Sequence, residues 1–205
     1  MHFEILNKQQ VELLPYLQHF QRTFYLVGGT AIALHIGHRR SIDFDLFTSS
    51  KLVKYRIKSK LNEIPFKQIP LFEDYDQLHL HLNNVKLTFF SFPFPISHPV
   101  KVESVISMPS LLSLASMKAF ALGRRSKWKD YVDLFFILKN YYTIQEISKE
   151  ACTNFPSQFS EKLFREQLTF FKDIDFSEPV EFVMPSVSEK EIKQFLTEKA
   201  LEVSF

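Results

Sequence analysis

The residues best suited to chemistry lie between Leu26 and Phe47: Leu26-Val27-Gly28-Gly29-Thr30, and then Ser41-Ile42-Asp43-Phe44-Asp45-Leu46-Phe47, with 13 residues between Gly29 and Asp43. An apolar run into a glycine pair predicts a strand that turns straight into a helix. Glycine has no Cβ, so an anion can approach the turn backbone closely. The first amides of the helix are unpaired, and the helix dipole favours negative charge there. The Thr30 hydroxyl offers one more donor. Asp43 and Asp45 alternate along a strand and therefore share a face. Two carboxylates side by side are costly unless a cation sits between them. Hard oxygen donors suit Mg²⁺ (or Mn²⁺), which commonly joins one or two carboxylates to substrate phosphates. Either half alone has an ordinary reading, as a turn or as a polar strand edge. Together they read as a seat for a nucleoside triphosphate and its metal.

A second cluster follows. Residues 118–129 hold Lys118, Arg124, Arg125, Lys127 and Lys129 with no acid among them. These cations could neutralise triphosphate or RNA phosphates. The plain alternative is a solvated helix end, where cations meet the C-terminal dipole. Asp130 and Asp133 are three apart on an expected helix and so are neighbours. Asp133 either fixes a nearby Arg or Lys or caps the basic helix by an ion pair. His79 and His81 alternate on a strand without an evident third ligand and read as a packed or solvated face. His35 and His38 flank the end of the first short helix. Phe89, Phe90, Phe92 and Phe94 could stack bases, but read as core. The single cysteine, Cys152, reads as buried apolar filler.

The segment "GGTAIALHIGHRRSIDFDLF" resembles the AbiEii/AbiGii-type toxin family of the nucleotidyltransferase superfamily. Its first motif matches Gly28, Gly29, Thr30, Ala31, Gly37, His38, Arg39, Ser41, Asp43, Asp45, Leu46 and Phe47. Its second matches Lys118, then Arg124 and Arg125, then Lys129, Asp130, Asp133 and Leu134. Both blocks fall in order over residues 24–138. The resemblance implies transfer of a nucleoside monophosphate from an NTP, within abortive-infection or toxin–antitoxin systems. It implies Asp43 and Asp45 as catalytic metal ligands and Gly28, Gly29, Thr30, Lys118, Arg125 and Lys129 as nucleotide contacts. Lys118 is then catalytic too, and Asp130 accepts a proton or orients the acceptor hydroxyl. The implied acceptor is RNA, particularly a tRNA 3′ end, and the implied protein partner is a cognate antitoxin. A protein hydroxyl as acceptor and a non-catalytic nucleotide- or partner-binding module are the alternatives. One departure stands out. Many members of the superfamily place a third carboxylate on a later strand, where this chain has Thr88. A hydroxyl is a poor substitute, which puts two-metal chemistry in question.

These residues need elements to hold them. The pattern predicts a helix from Asn7 to about residue 20, bent or ended by Pro15, and a strand over 24–27. A helix capped by Thr30 follows over 31–36 and ends at Gly37. A strand over 42–47 and a helix from about 50 to 61 come next. Strands over 77–82 and 85–92 are joined by Asn83-Asn84, two residues that tolerate positive φ. A further strand is expected over 100–105. After Met108 the chain reads as helical, over 110–122, 128–140, 160–172 and 188–203, with an irregular connector over 173–187. In the third of these, Leu163, Phe164, Gln167 and Phe171 share one side. The sum is an α+β fold: a nucleotidyltransferase-like core over 1–106, with a mixed sheet and flanking helices, and a C-terminal helical part over 107–205.

Composition sets the outer bounds. Of 205 residues, 45% are hydrophobic and 23% charged, which excludes a disordered or fibrous chain. Residues 1–140 carry 18 Lys/Arg against 11 Asp/Glu, and residues 141–205 carry 7 against 12. A basic front part is compatible with a polyanionic partner. One cysteine, no secretory signal and no membrane-length apolar run give the expectation of a cytoplasmic protein with no membrane partner.

Overall fold

Asn7 caps α1 (Lys8–Leu13): its side chain accepts from the Gln10 N–H at 2.8 Å, and the Gln10 side chain accepts from the Asn7 N–H at 3.1 Å. Beyond Leu13 the computed structural model tightens into a 3₁₀ turn over Leu14–Phe20 with Pro15 near its start. Proline lacks the N–H that would continue the helix. The single expected helix is therefore two pieces, and Val11 on the first of them is exposed.

The structure describes residues 1–122 and 124–202. The chain divides into two compact units, Met1–Ser110 and the part from Leu111 onward. In the first, β1 (Tyr25–Val27) leads directly into α2 (Gly28–Ile36), and β2 (Asp43–Thr48) follows. After α3 (Lys54–Leu61) come β3 (Gln68–Asp74), β4 (Gln77–Leu82) and β5 (Val85–Ser91). They form one mixed sheet in the order β1-β2-β5-β4-β3. β2 runs antiparallel to β1 and parallel to β5, while β5, β4 and β3 form an antiparallel meander. Asn83 and Asn84, with φ of 52° and 61°, turn β4 into β5. β6 (Val100–Val102) and β7 (Ile106–Met108) pair as a separate hairpin where one strand was expected.

Burial alternates along β2: Phe44 and Leu46 are buried, while Asp43, Asp45 and Phe47 are half-buried on the other face. Leu78, Leu80 and Leu82 of β4 and Leu87 and Phe89 of β5 are also buried. Phe89 lies edge-on to Phe20 and Phe24, at 4.8 Å and 5.1 Å between ring centroids. Truncating a ring so placed costs about 3–5 kcal/mol. The sheet thus has one core face and one polar face, and the polar face carries the acids.

The second unit holds α4 (Leu111–Leu122), α5 (Trp128–Asn140), α6 (Ile144–Asn154), α7 (Glu161–Thr169) and α8 (Glu189–Leu201). α6 was not expected, although Thr143 and Glu146 form a reciprocal capping box at its start. Cys152 lies on it and is exposed, which corrects its reading as a core residue. On α7 the buried residues are Phe164 and Leu168, and Leu163 faces water. α5 is buried almost all round from Tyr131 to Leu138. No helix among the described residues is long and apolar enough to cross a membrane.

Candidate nucleotide site

The glycine pair and the acid pair are built into one another. Val27, the last residue of β1, lies opposite Asp45 of β2. The next residue, Gly28, has φ +75°, a region that L side chains rarely adopt. A Cβ placed on Gly28 would stand 3.1 Å from Asp45 Cγ and closer still to its Oδ2. The backbone at the start of α2 therefore rests directly on the Asp45 carboxylate, and only glycine permits that approach. A Cβ on Gly29 would fall 2.6 Å from Arg39 Nη2 and 3.0 Å from Ser41 Oγ.

Thr30 plays a different part from the one expected. It does not cap α2, whose N-cap is Val27 without a side-chain hydrogen bond. The Thr30 hydroxyl donates instead to the Asp43 carbonyl, and Thr30 is buried. It staples the helix to the acid-bearing strand. A phosphate at this turn would meet backbone amides rather than that hydroxyl.

The loop between α2 and β2 is unusually buried. Gly37, at φ +67°, ends α2 in the left-handed conformation. His38 and Arg39 after it are inaccessible to solvent. Arg39 donates to the Arg40 carbonyl at 2.9 Å and runs under Gly29. Gln10 of α1 donates to the Ser41 carbonyl at 2.8 Å. Arg39 belongs to the matched motif, and its burial under the turn makes it a support for the Gly28-Gly29 backbone. His35 donates to the Pro109 carbonyl at 3.0 Å, and burial pulls its pKa down. It is a structural residue.

Thr88 stands in register with Asp45 across the parallel β2–β5 pair, and Asp43 stands in register with Lys86. The position read from the sequence as the third-carboxylate site is therefore directly beside the acid pair, and it holds a hydroxyl. Among the described residues no group of three or more His, Cys, Asp or Glu side chains could enclose a metal. Two carboxylates on one face nevertheless fit a magnesium ion that keeps its waters and takes its other oxygens from phosphates.

The phenylalanines divide between the faces. Phe89 belongs to the core, whereas Phe90 is half-buried on the polar face, 5.0 Å from Phe47 and 6.1 Å from Phe92. Phe92 meets Phe94 at 5.2 Å.

In the second unit, Lys118 of α4 is buried between two acids of α5. Its ammonium pairs with Asp130 Oδ1 and, at 3.1 Å, with Asp133 Oδ2. Arg125 donates from Nε to Asp130 Oδ2 at 3.0 Å and from Nη2 to Oδ1 at 3.2 Å. Both Asp130 oxygens are thus engaged by cations. That arrangement fits a residue that positions Lys118 and Arg125 better than one that takes up a proton. Lys127 pairs with Glu178, and Lys129 pairs with the same carboxylate at 3.2 Å. Arg124 lies 3.5 Å over the Phe120 ring. The basic stretch is therefore largely neutralised from within. Glu178 lies on the connector before α8, which is pinned to the basic stretch by its backbone: the Asp175 N–H donates to the Ser126 carbonyl at 2.7 Å, and the Asp175 carbonyl accepts from the Trp128 N–H at 3.0 Å.

A strand, a glycine turn resting on Asp45, and a third strand in parallel register belong to a nucleotidyltransferase-type fold. MenT4, a nucleotidyltransferase toxin of Mycobacterium tuberculosis, shares the fold, with a TM-score of 0.64 at 12% identity over 94% of this chain and 80% of its own. JHP933 of Helicobacter pylori shares it at a TM-score of 0.53 and 16% identity, over 95% and 91%. An uncharacterised protein of Aquifex aeolicus is 31% identical over 131 residues, spanning 62% of this chain and 63% of that protein. The family model for the nucleotidyl transferase AbiEii toxin of type IV toxin–antitoxin systems matches residues 14–201. The chain belongs to that family.

Proposed function

We propose that this protein transfers a nucleoside monophosphate from an NTP to a hydroxyl of an RNA, with a tRNA 3′ end as the acceptor the family resemblance suggests. The observation that supports the reading best is the contact between the Gly28 backbone and the Asp45 carboxylate, which joins an anion seat to a cation seat. The backbone at Gly28 and Gly29 receives the triphosphate tail, and Asp43 and Asp45 hold the divalent ion. When bound, Mg²⁺ neutralises phosphate charge and aligns the displacement. The acceptor oxygen bonds to the α-phosphorus as the bond to the bridging oxygen breaks. Pyrophosphate leaves and the hydroxyl proton passes to solvent. Lys118, Arg125 and Lys129 are assigned to the triphosphate on their match to the second motif. Asp130 and Asp133 then hold that cationic group in place. A cognate antitoxin is the protein partner the family suggests.

Thr88 beside Asp45 supports a second reading, a nucleotide-binding module without transfer. Labelled NTPs with Mg²⁺ and total RNA or lysate decide between them. Label on RNA that disappears in Asp43→Ala and Asp45→Ala is the expected result. Label on protein would move the acceptor to a protein hydroxyl. Retained NTP binding without any transfer would establish the second reading.

A further inference from the structure

The polar sheet face continues past the acid pair, and the strand registers say what lies there. One row crosses the sheet as Val27, Asp45, Thr88, His79 and Phe72. The adjacent row runs Asp43, Lys86, His81 and Ile69. The glycine turn stands at the β1 end of the first row, on one side of Asp45. In an in-line displacement the entering oxygen and the leaving group lie on opposite sides of the phosphorus. With the triphosphate tail at the turn, the acceptor approaches from the opposite side of Asp45, over β5 and β4.

We propose that this strip, formed by Thr88 and Lys86 on β5, His79 and His81 on β4 and Phe72 on β3, binds the acceptor, and that the acceptor it fits is a single-stranded RNA end. The proposal rests on the nucleotidyl-transfer reading above and assigns the acceptor's place within it. Lys86, Thr88, His79 and His81 form a patch without an acid among them. Neighbouring strands are about 4.8 Å apart, so Asp45 to His79 spans about 10 Å, room for a terminal nucleotide. The His79 ring is held: its Nε2 hydrogen-bonds Gln77 Oε1 at 2.9 Å, and it stands edge-on to Phe72 at 5.6 Å. Phe72, 50% exposed, offers an aromatic surface at the far end of the row. A cation that meets a backbone phosphate, with an exposed ring for a base, is the combination by which single strands are bound without a sequence code. An apolar cleft that would receive a folded protein is not what these side chains form.

Fluorescence anisotropy of a labelled single-stranded RNA of about eight nucleotides, without NTP or metal, tests the strip. The wild-type protein is expected to bind it. Phe72→Ala should weaken binding about tenfold. Lys86→Ala should weaken it and lower the slope against log salt by about one. Lys101→Ala, exposed on the separate β6–β7 hairpin, should change neither. Calorimetry with Mg²⁺ and an NTP runs beside it, and the strip variants should take up nucleotide as the wild type does. RNA binding that is absent in the wild type, or unmoved by Phe72→Ala and Lys86→Ala, overturns the strip while leaving nucleotide transfer standing. A wild-type protein that takes up no NTP overturns the parent reading instead. Label transferred to a protein and none to RNA also overturns the strip.

Discussion

Gly28 rests on Asp45: no side chain fits between the turn backbone and that carboxylate. The first prediction follows from this contact. Gly28→Ala must push the Asp45 side chain aside and strain a backbone at φ +75°. Magnesium-linked NTP uptake should fall at least about tenfold, a loss of about 1.4 kcal/mol. Calorimetry measures the uptake, and circular dichroism checks that the fold persists. An alanine variant that takes up nucleotide like the wild type would separate the turn from the site.

Thr88→Asp adds a carboxylate in register with Asp45. Like charges directly opposite each other are destabilising by up to about 1 kcal/mol. The variant should melt below the wild type in chelator and recover when Mn²⁺ is added, since a ligand bound only by the folded state stabilises it. Thermal unfolding with and without Mn²⁺ reads this directly. A variant indifferent to Mn²⁺ would show that position 88 takes no part in cation binding beside Asp45.

Lys118→Met leaves Asp130 and Asp133 buried with one positive partner removed. Breaking a buried pair from one side costs about 3–5 kcal/mol. Arg125→Ala removes a half-exposed partner and should cost about 1 kcal/mol or less. Urea unfolding of the two variants should rank them in that order. Equal losses would contradict the burial of the Lys118 group.

Glu178 makes stability depend on acid. Burial pushes its carboxyl up, but hydrogen bonds and charge from Lys127 and Lys129 outweigh that and hold it at about 2, against an ordinary 4.5. A lowered folded-state pKa stabilises above the unfolded value and stops doing so as pH falls. The contribution should be full above pH 4.5 and vanish toward about 2. Because the group is partly exposed, solvent screening limits it to about 1 kcal/mol. The stability gap between wild type and Glu178→Gln, followed from neutral pH downward, should close across that window. A gap that persists at low pH would show that Glu178 acts by packing rather than charge.

The parts of the fold legible in the sequence are those whose residue types leave the backbone little choice. Gly28-Gly29 after an apolar run, alternating acids in β2 and the Asn83-Asn84 turn are local signals, and each element lies where they place it. β3 escaped because Pro70 breaks its pattern and its side chains are exposed on both faces, so no alternation marks it. α6 had a readable signal in Thr143 and Glu146, which passed unnoticed between two stronger helices. Thr30 misled because its hydroxyl found a tertiary acceptor, the Asp43 carbonyl, instead of a local one. The pairing of Lys127 and Lys129 with Glu178 joins residues about fifty positions apart, a distance over which sequence spacing says nothing.

Asp130 has two cationic neighbours of opposite accessibility: the Lys118 side chain is 7% exposed and that of Arg125 is 51%. Dissolved salt can compete for the guanidinium and scarcely reaches the ammonium. The cluster therefore has a permanent half and an exchangeable half. An incoming phosphate could recruit Arg125 while the buried lysine kept the two acids from repelling each other.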